Sequence, residues 1–184
     1  IDKDPRFRDS ENGDYQLFAS SPCINSGDPT AQDEDETRRD MGAYPYLVDY
    51  DGFDDWYVST SGSDSTGMGS SISEFASIQA ALNFANENQT VHVAAGIYYE
   101  NIVWPYLTSG IKLFGAGVGN SIIDGGDLGT VIKIDTWVNG GSATLIDTST
   151  HLSGFTIQNG GGETGSGIFL QWAGPTLTDL DIRD

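Results

Sequence analysis

The sequence predicts an all-β fold of the solenoid class, in which short parallel strands stack on one another behind one short α-helix. Glycine makes up 24 of the 184 residues, a content typical of turn-rich β proteins. Residues 151–159 and 176–184 repeat one pattern, in which three apolar pairs are each 25 residues apart: Leu152 and Leu177, Phe155 and Leu180, Ile157 and Ile182. Because such a period is typical of solenoids, it favours a solenoid over the alternative, a sandwich of short strands.

The charge of the chain excludes several classes of partner. It carries 27 acidic and eight basic residues, a formal net charge of −19. A field of this sign repels nucleic acids and anionic surfaces, so we expect no nucleic-acid partner. No run approaches the roughly 20 apolar residues of a membrane span, so we expect no membrane insertion. The single cysteine, Cys23, cannot form an internal disulfide, and we predict a buried thiol there.

Composition divides the chain into three parts. Residues 1–48 form a first segment of apolar residues separated by turn formers, without a helical period. Residues 49–55 are predicted to be an acidic linker. Residues 56–184 contain the repeated strands and one predicted helix.

The predicted helix spans about residues 73–86. Ser71 and Glu74 have the spacing of a capping box. One face is apolar, with Phe75, Ile78, Leu82 and Ala85. This face is expected to cover an apolar surface.

The alternation of apolar residues predicts a core that runs through the strands. We expect it to contain Ile78, Leu82, Val91, Val93, Ile102, Ile111, Leu113, Ile123, Val131, Ile134, Leu152, Phe155, Ile157, Leu177, Leu180 and Ile182.

Six stretches from Trp56 onward resemble a known family. They are residues 57–64 (YVSTSGSD), 75–81 (FASIQAA), 91–98 (VHVAAGIY), 122–126 (IIDGG), 152–160 (LSGFTIQNG) and 175–178 (PTLT). Together they resemble the N-terminal part of secreted bacterial proteins of the pectin-lyase-like superfamily. The resemblance implies a right-handed parallel β-helix, a helix that caps its N-terminal end, and an extracellular or cell-surface location. It implies no particular activity, because this fold carries many functions.

Residues 4–46 resemble a different part of the same superfamily, the stretch that closes the C-terminal end of the β-helix. The matching patterns are Asp-Pro-x-Phe, Gly-Asp-Tyr-x-Leu, Ser-Pro-x-Ile-x-Ser-Gly and Asp-x-Gly-Ala-Tyr. Three arrangements follow: the segment folds back on residues 176–184 of its own chain, it docks on a neighbouring copy, or the sequence is an excerpt of a longer tandem protein. The second arrangement predicts head-to-tail self-association through Leu177, Leu180 and Ile182.

The sequence predicts no catalytic residue. His92 and His151 have neither a nucleophile motif nor metal-type spacing, and we expect both to be strand residues. Lyases of this superfamily resemble one another in using a basic residue, for which Lys112 and Lys133 are candidates, although each is also typical of a solvated strand. A glycoside hydrolase would need two carboxylates, and Asp124 with Asp127, or Asp179 with Asp181, are candidates outside any matching motif.

Two binding sites are predicted. Asp49, Asp51, Asp54 and Asp55 supply closely spaced oxygen ligands that suit calcium, although the alternative of a solvated acidic linker is favoured. Four aromatic residues near turns are candidates for stacking on a polysaccharide: Trp104, Tyr106, Trp137 and Trp172. The alternative is that they cover the barrel.

We therefore expect an extracellular, non-catalytic module with a structural or fibre-forming role, with polysaccharide binding as an additional property. One alternative is a fragment of a secreted polysaccharide lyase or glycoside hydrolase. A second is a calcium-dependent adhesion domain.

Overall fold

The computed structural model describes residues 4–47, 55–105, 108–136, 146–162 and 167–184. These residues are mostly β, with parallel sheets and one α-helix. The elements are β1 (Phe7–Asp9), β2 (Asp14–Leu17), β3 (Asp55–Val58), α1 (Ile78–Phe84), β4 (Thr90–Val93), β5 (Gly96–Tyr99), β6 (Ile102–Val103), β7 (Lys112–Gly115), β8 (Ser121–Asp124), β9 (Ile132–Asp135), β10 (His151–Gln158), β11 (Ile168–Gln171) and β12 (Thr176–Ile182). None of the described helices is long and apolar enough to cross a membrane.

The parallel strands form three rows. The first row runs β3, β4, β7, the start of β10 and the start of β12, and the second runs β5, β8, the end of β10 and the end of β12. The third row runs β6, β9 and β11. The groups β4–β6, β7–β9 and β10–β11 each add one strand to each row, whereas β3 adds to the first row and β12 to the first two.

The 25-residue repeat predicted from the sequence is confirmed by the strand register. Strands β10 and β12 pair Leu152 with Leu177, Phe155 with Leu180, and Ile157 with Ile182. Directly paired residues of neighbouring strands point to the same side of the sheet. Strict alternation would place Leu152 and Phe155, which are three residues apart, on opposite faces, and the positive φ of Gly154 between them allows both to be buried.

The predicted core is buried from Ile78 to Ile157. Prediction and structure differ at its last members, because Leu177 is 38 % exposed, Ile182 is 51 % exposed, and Leu180 is half-buried. The sequence analysis also missed Trp56, whose ring packs against those of Phe75 and Phe84 at centroid distances of 6.1 and 5.9 Å, while the two phenylalanine rings are 5.4 Å apart.

Strand β10 bends at Gly154, which separates its two halves. Gly154 has a φ of +81°, a conformation that glycine adopts without strain. A Cβ at this position would lie 2.8 Å from the Gly115 carbonyl oxygen of the adjacent strand. The bend therefore requires glycine for both its dihedral angle and its space.

Helix α1 is shorter than predicted, at Ile78–Phe84, and the capping box of Ser71 and Glu74 does not start it. Its N-cap is Ser77, whose side chain accepts from the Ala80 N–H. Phe75, predicted to be helical, is extended beside β3, where its N–H and C=O hydrogen-bond to Tyr57 and Ser59. This pairing with β3 overrides the helical pattern before Ser77.

Residues 4–47 pack against α1 and the loop that follows β3. Ala19 N–H donates to the Asp64 carbonyl at 2.8 Å, and Tyr46 Oη donates to the Gly67 carbonyl at 3.0 Å. The rings of Tyr46 and Phe84 are 5.4 Å apart. These contacts lie at the β3 side of the molecule, so they do not correspond to folding back on residues 176–184.

Candidate functional site

The last strand, β12, presents an apolar surface. It pairs with β10 along one edge, and within the described ranges no strand pairs with its other edge. Leu177 and Ile182, which continue the apolar columns of the core, are exposed there. An unpaired edge with exposed apolar side chains is a surface for association.

Two of the polar side chains of β12 are acidic, and two, those of Thr178 and Asp179, hydrogen-bond to β10. Asp179 Oδ2 accepts from Ser153 Oγ at 3.4 Å, and Thr178 Oγ1 lies 2.8 Å from His151 Nε2. Asp181 forms a solvent-exposed ion pair with Arg183 at 3.7 Å. A partner at this end would therefore meet two carboxylates beside the apolar surface.

At the β3 side, two amide side chains of α1 join the N-terminal segment to the sheets. Asn83 Nδ2 donates to the carbonyls of Ala19 and Ser21 at 2.9 and 3.0 Å. Gln79 Oε1 accepts from the Val103 N–H at 2.8 Å, and Gln79 Nε2 donates to the Val103 carbonyl at 3.0 Å. The same Nε2 also donates to Asn83 Oδ1. The sequence analysis missed this role, although the spacing of Gln79 and Asn83 places them on one helical face.

Two carboxylates hold the start of α1. Glu100 accepts from the N–H groups of Ile78 and Gln79 at 2.7 and 2.9 Å, while Asp64 accepts from the N–H groups of Ala76 and Ser77. They satisfy donors that a helix start leaves unpaired. Burial, with the nearby Asp64, raises the pKa of Glu100 to about 7, against the opposing effect of the two N–H donors.

The outward side of the N-terminal segment exposes aromatic residues. Tyr15 and Tyr44 are about half exposed, and Leu47 is exposed as well. Phe7 packs edge-on against Tyr15 at 5.5 Å. These side chains are separate from the buried Leu17 and Ile24, which belong to the core.

The predicted calcium site falls largely outside the described residues, because Asp49, Asp51 and Asp54 lie there. Asp55, the first residue of β3, has its Oδ1 at 3.0 Å from His92 Nε2. The part of the chain that the structure describes contains no cluster of three or more metal-ligating side chains. Calcium binding therefore stays a prediction.

The four predicted stacking aromatics have different positions. Trp104 is buried, 4 % exposed, and its Nε1 donates to the Thr108 carbonyl at 3.3 Å. Trp172 is 63 % exposed at a turn, with a φ of +56°. Tyr106 and Trp137 lie outside the described residues. Trp172 therefore presents a ring to solvent, whereas Trp104 packs in the interior.

The candidates for catalysis are dispersed. Lys133 lies on β9, 3.1 Å from Asp135 and 5.7 Å from the centre of the Phe169 ring, while Lys112 is exposed on β7. Asp124 accepts from Gln158, Gly126 and Asn159. The Gln158 hydrogen bond is the main cause that lowers the Asp124 pKa, so this carboxylate is held in its ionised form as a turn acceptor.

The comparison with protein families gives a match over two thirds of the chain. The family described as "Protein of unknown function (DUF1565)" matches residues 60–184, and this family is associated with pectin-lyase-like β-helix proteins. Comparison with curated proteins and with solved structures finds no match.

Proposed function

We propose that this chain, which belongs to the DUF1565 family, is a non-catalytic right-handed parallel β-helix module that self-associates head to tail outside the cell. Three rows of parallel strands, with one strand added to each row per repeat, support the β-helix. Right-handedness follows from the strong preference for right-handed crossovers between parallel strands. The extracellular location rests on the resemblance to secreted proteins.

The apolar surface of β12 is the observation that carries the self-association. Leu177 and Ile182 extend the columns that start at Trp56 and Tyr98 and run through each layer of the core. In a solenoid each layer buries its apolar side chains on the next. A further layer in contact with β12 would bury both side chains and pair its open edge.

The partner in this proposal is the N-terminal segment of a second copy. Its outward side exposes Tyr15 and Tyr44, and aromatic residues are enriched in interfaces. A heterologous contact of this kind propagates into a fibre.

Light scattering against concentration, with negative-stain microscopy of the same samples, tests the proposal. We expect the mass to grow with concentration and Leu177→Asp to abolish growth. Leu128→Asp is the matched control, because Leu128 is exposed on the turn between β8 and β9, and it should assemble as the wild type does. A monomer at every concentration, or equal assembly of Leu177→Asp and the wild type, would reject head-to-tail association.

A polysaccharide lyase or hydrolase fragment is the competing function. Release of unsaturated or reducing ends from polysaccharides, lost on substitution of Lys133 or Lys112, would establish it. Absence of turnover, together with assembly, supports the structural role.

A further inference from the structure

One exposed turn of the N-terminal segment contains an aspartate followed by a proline, Asp28–Pro29. Both residues are exposed, as is Thr30 after them. A peptide bond of this kind is sensitive to acid, because the carboxylate is close enough to attack its own carbonyl carbon and the proline nitrogen, which carries no N–H, accepts a proton as it leaves. None of these three residues takes part in the proposed self-association.

The carboxylate of Asp28 is held in place by Thr30. Asp28 Oδ1 accepts from the Thr30 N–H at 2.9 Å and from Thr30 Oγ1 at 2.8 Å. Because both donors belong to the residue two positions further on, the side chain folds toward the C-terminal side of Asp28, where the bond to proline lies. Oδ2 has no hydrogen-bond partner among the described residues, so its lone pairs are free to attack.

The carbonyl group of the same bond is polarised by the turn. The Asp28 carbonyl oxygen accepts from the Ala31 N–H at 3.1 Å. A donor placed at an oxygen that gains negative charge stabilises the transition state of acyl transfer. The nucleophile and this donor therefore come from one turn, which spans residues 28–31.

The chain before the bond is fixed as well. The Gly27 N–H donates to the Arg39 carbonyl at 2.7 Å, and Arg38 Nε donates to the Gly27 carbonyl at 2.8 Å, with Arg38 Nη2 donating to the same oxygen. These contacts limit the rotations by which Asp28 could leave the turn. Restriction of this kind favours an intramolecular attack.

The hydrogen bonds of the turn also keep the nucleophile ionised in acid. The Thr30 N–H is the main cause that lowers the Asp28 pKa below its ordinary value of 3.8, followed by the Thr30 hydroxyl, and the guanidinium groups of Arg39 and Arg38 act in the same direction. Attack needs a carboxylate, whereas departure of the proline nitrogen needs a proton. A low carboxyl pKa allows both conditions to be met at mildly acidic pH.

The other aspartyl–proline bond of the chain, Asp4–Pro5, has only part of this arrangement. Asp4 Oδ1 accepts from the Arg6 N–H at 2.9 Å, in a turn of the same type. Within the described ranges no hydroxyl donates to the Asp4 carboxylate and no N–H donates to the Asp4 carbonyl. Asp4–Pro5 is therefore an internal control, which has the same bond without the donor to its carbonyl oxygen.

We propose that the protein cleaves its own chain between Asp28 and Pro29 in mild acid. Asp28 Oδ2 attacks the Asp28 carbonyl carbon, the carbon–nitrogen bond breaks, and its electron pair leaves with the proline nitrogen, which takes a proton from the solvent. The cyclic anhydride that forms at Asp28 is opened by water to two carboxyl groups. The products are residues 1–28 and a chain that begins at Pro29, and one water molecule is consumed.

Mass spectrometry of the denatured full chain, after incubation of the native protein at about pH 4, near the ordinary aspartate pKa, tests the proposal. Denaturation is needed because the Asn83 hydrogen bonds hold the first product in place. We expect two fragments whose masses sum to the intact chain plus one water, formed faster than fragments from Asp4–Pro5. Their rate should rise as the pH falls and level off below the Asp28 pKa, since attack needs the carboxylate.

Variants of the turn separate the roles of its residues. Asp28→Ala should abolish the fragments. Thr30→Ala should cleave about fivefold more slowly, as the loss of one hydrogen bond implies, and its rate should level off at a higher pH, because the Asp28 pKa rises; Thr30→Ser should keep the wild-type profile. The matched control is Thr37→Ala, which removes the same hydroxyl contact from Asp35 in the same loop and should cleave as the wild type does.

Three results would overturn the proposal. An intact chain in mild acid would show that the turn is unreactive. Equal rates at Asp28–Pro29 and Asp4–Pro5, or in the native chain and in the chain unfolded by urea, would assign cleavage to the ordinary acid sensitivity of the bond. Equal pH profiles of Thr30→Ala and the wild type would remove Thr30 from the mechanism. Because Asp28 and Thr30 are exposed, we expect the variants to fold, and equal melting temperatures check this.

Discussion

Replacement of Asn83 by alanine tests how firmly the N-terminal segment is attached to the rest of the protein. The Asn83 side chain makes three hydrogen bonds, to the carbonyls of Ala19 and Ser21 and with the Gln79 amide. Ala19 and Ser21 are fully buried. Removal of the amide therefore leaves two backbone acceptors without this donor in a region that water does not reach.

The expected loss follows from these three bonds. At about 1 kcal/mol each they contribute roughly 3 kcal/mol. Alanine has the higher helix propensity, which returns about 0.6 kcal/mol. We therefore expect Asn83→Ala to lower the free energy of unfolding by about 2.5 kcal/mol, and by more if the two carbonyls stay dry.

Urea unfolding followed by tryptophan fluorescence measures this loss, and native-state hydrogen exchange locates it. Amides of residues 17–24 should lose protection before those of the parallel strands, because the broken bonds join that segment to α1. The matched control is Asn86→Ala, the same change at an exposed position just beyond the helix, for which we expect a shift within about 0.5 kcal/mol.

A loss below about 1 kcal/mol with unchanged exchange in residues 17–24 would refute the reasoning. It would mean that Leu17, Ile24 and the aromatic contacts hold the segment without the Asn83 amide. A loss of protection spread evenly over all strands would instead show that the segment and the sheets unfold as one unit.

Three further predictions concern pH, a glycine and calcium. The folded-state pKa of Glu100 is raised from 4.5 to about 7, so the contribution of Glu100 to folding stability is full below pH 4.5 and is lost as the pH rises through 7. The wild type should therefore lose stability over this range relative to Glu100→Gln. Parallel pH profiles of the two proteins would contradict this. Gly154→Ala should destabilise by more than about 1 kcal/mol and by more than Gly119→Ala, which has a similar φ but open space; equal losses would show that strain alone matters. If residues 49–55 bind calcium, saturating Ca²⁺ should raise the melting temperature, and identical melting in EDTA would reject the site.

The strand repeat was predictable because it depends on the local pattern of apolar residues. Alternation places Phe155 and Ile157 on one side of a strand, and the 25-residue spacing identifies their partners. The burial of Leu152 on the same side depends on the bend at Gly154. The helix was predictable in kind but not in extent, because the pairing of Phe75 with β3 is a contact between distant segments. No local signal distinguishes that pairing from a first helical turn.

The candidate functional residues were also only partly predictable from the sequence. The apolar residues of β12 were identified from the repeat, whereas their exposure depends on which strands pair with β12. Trp104 looked like a stacking residue beside a proline, and only folding shows that its ring is buried.

The sequence by itself determined the strand period, the acidic charge and the parallel β class, since each follows from composition or from spacing along the chain. Tertiary structure alone decided how residues 4–47 pack, because amide side chains on α1 meet backbone carbonyls some 60 positions away. It also decided the ionisation of Glu100, whose pKa depends on burial against α1. Both outcomes depend on distances between atoms that chain order does not specify.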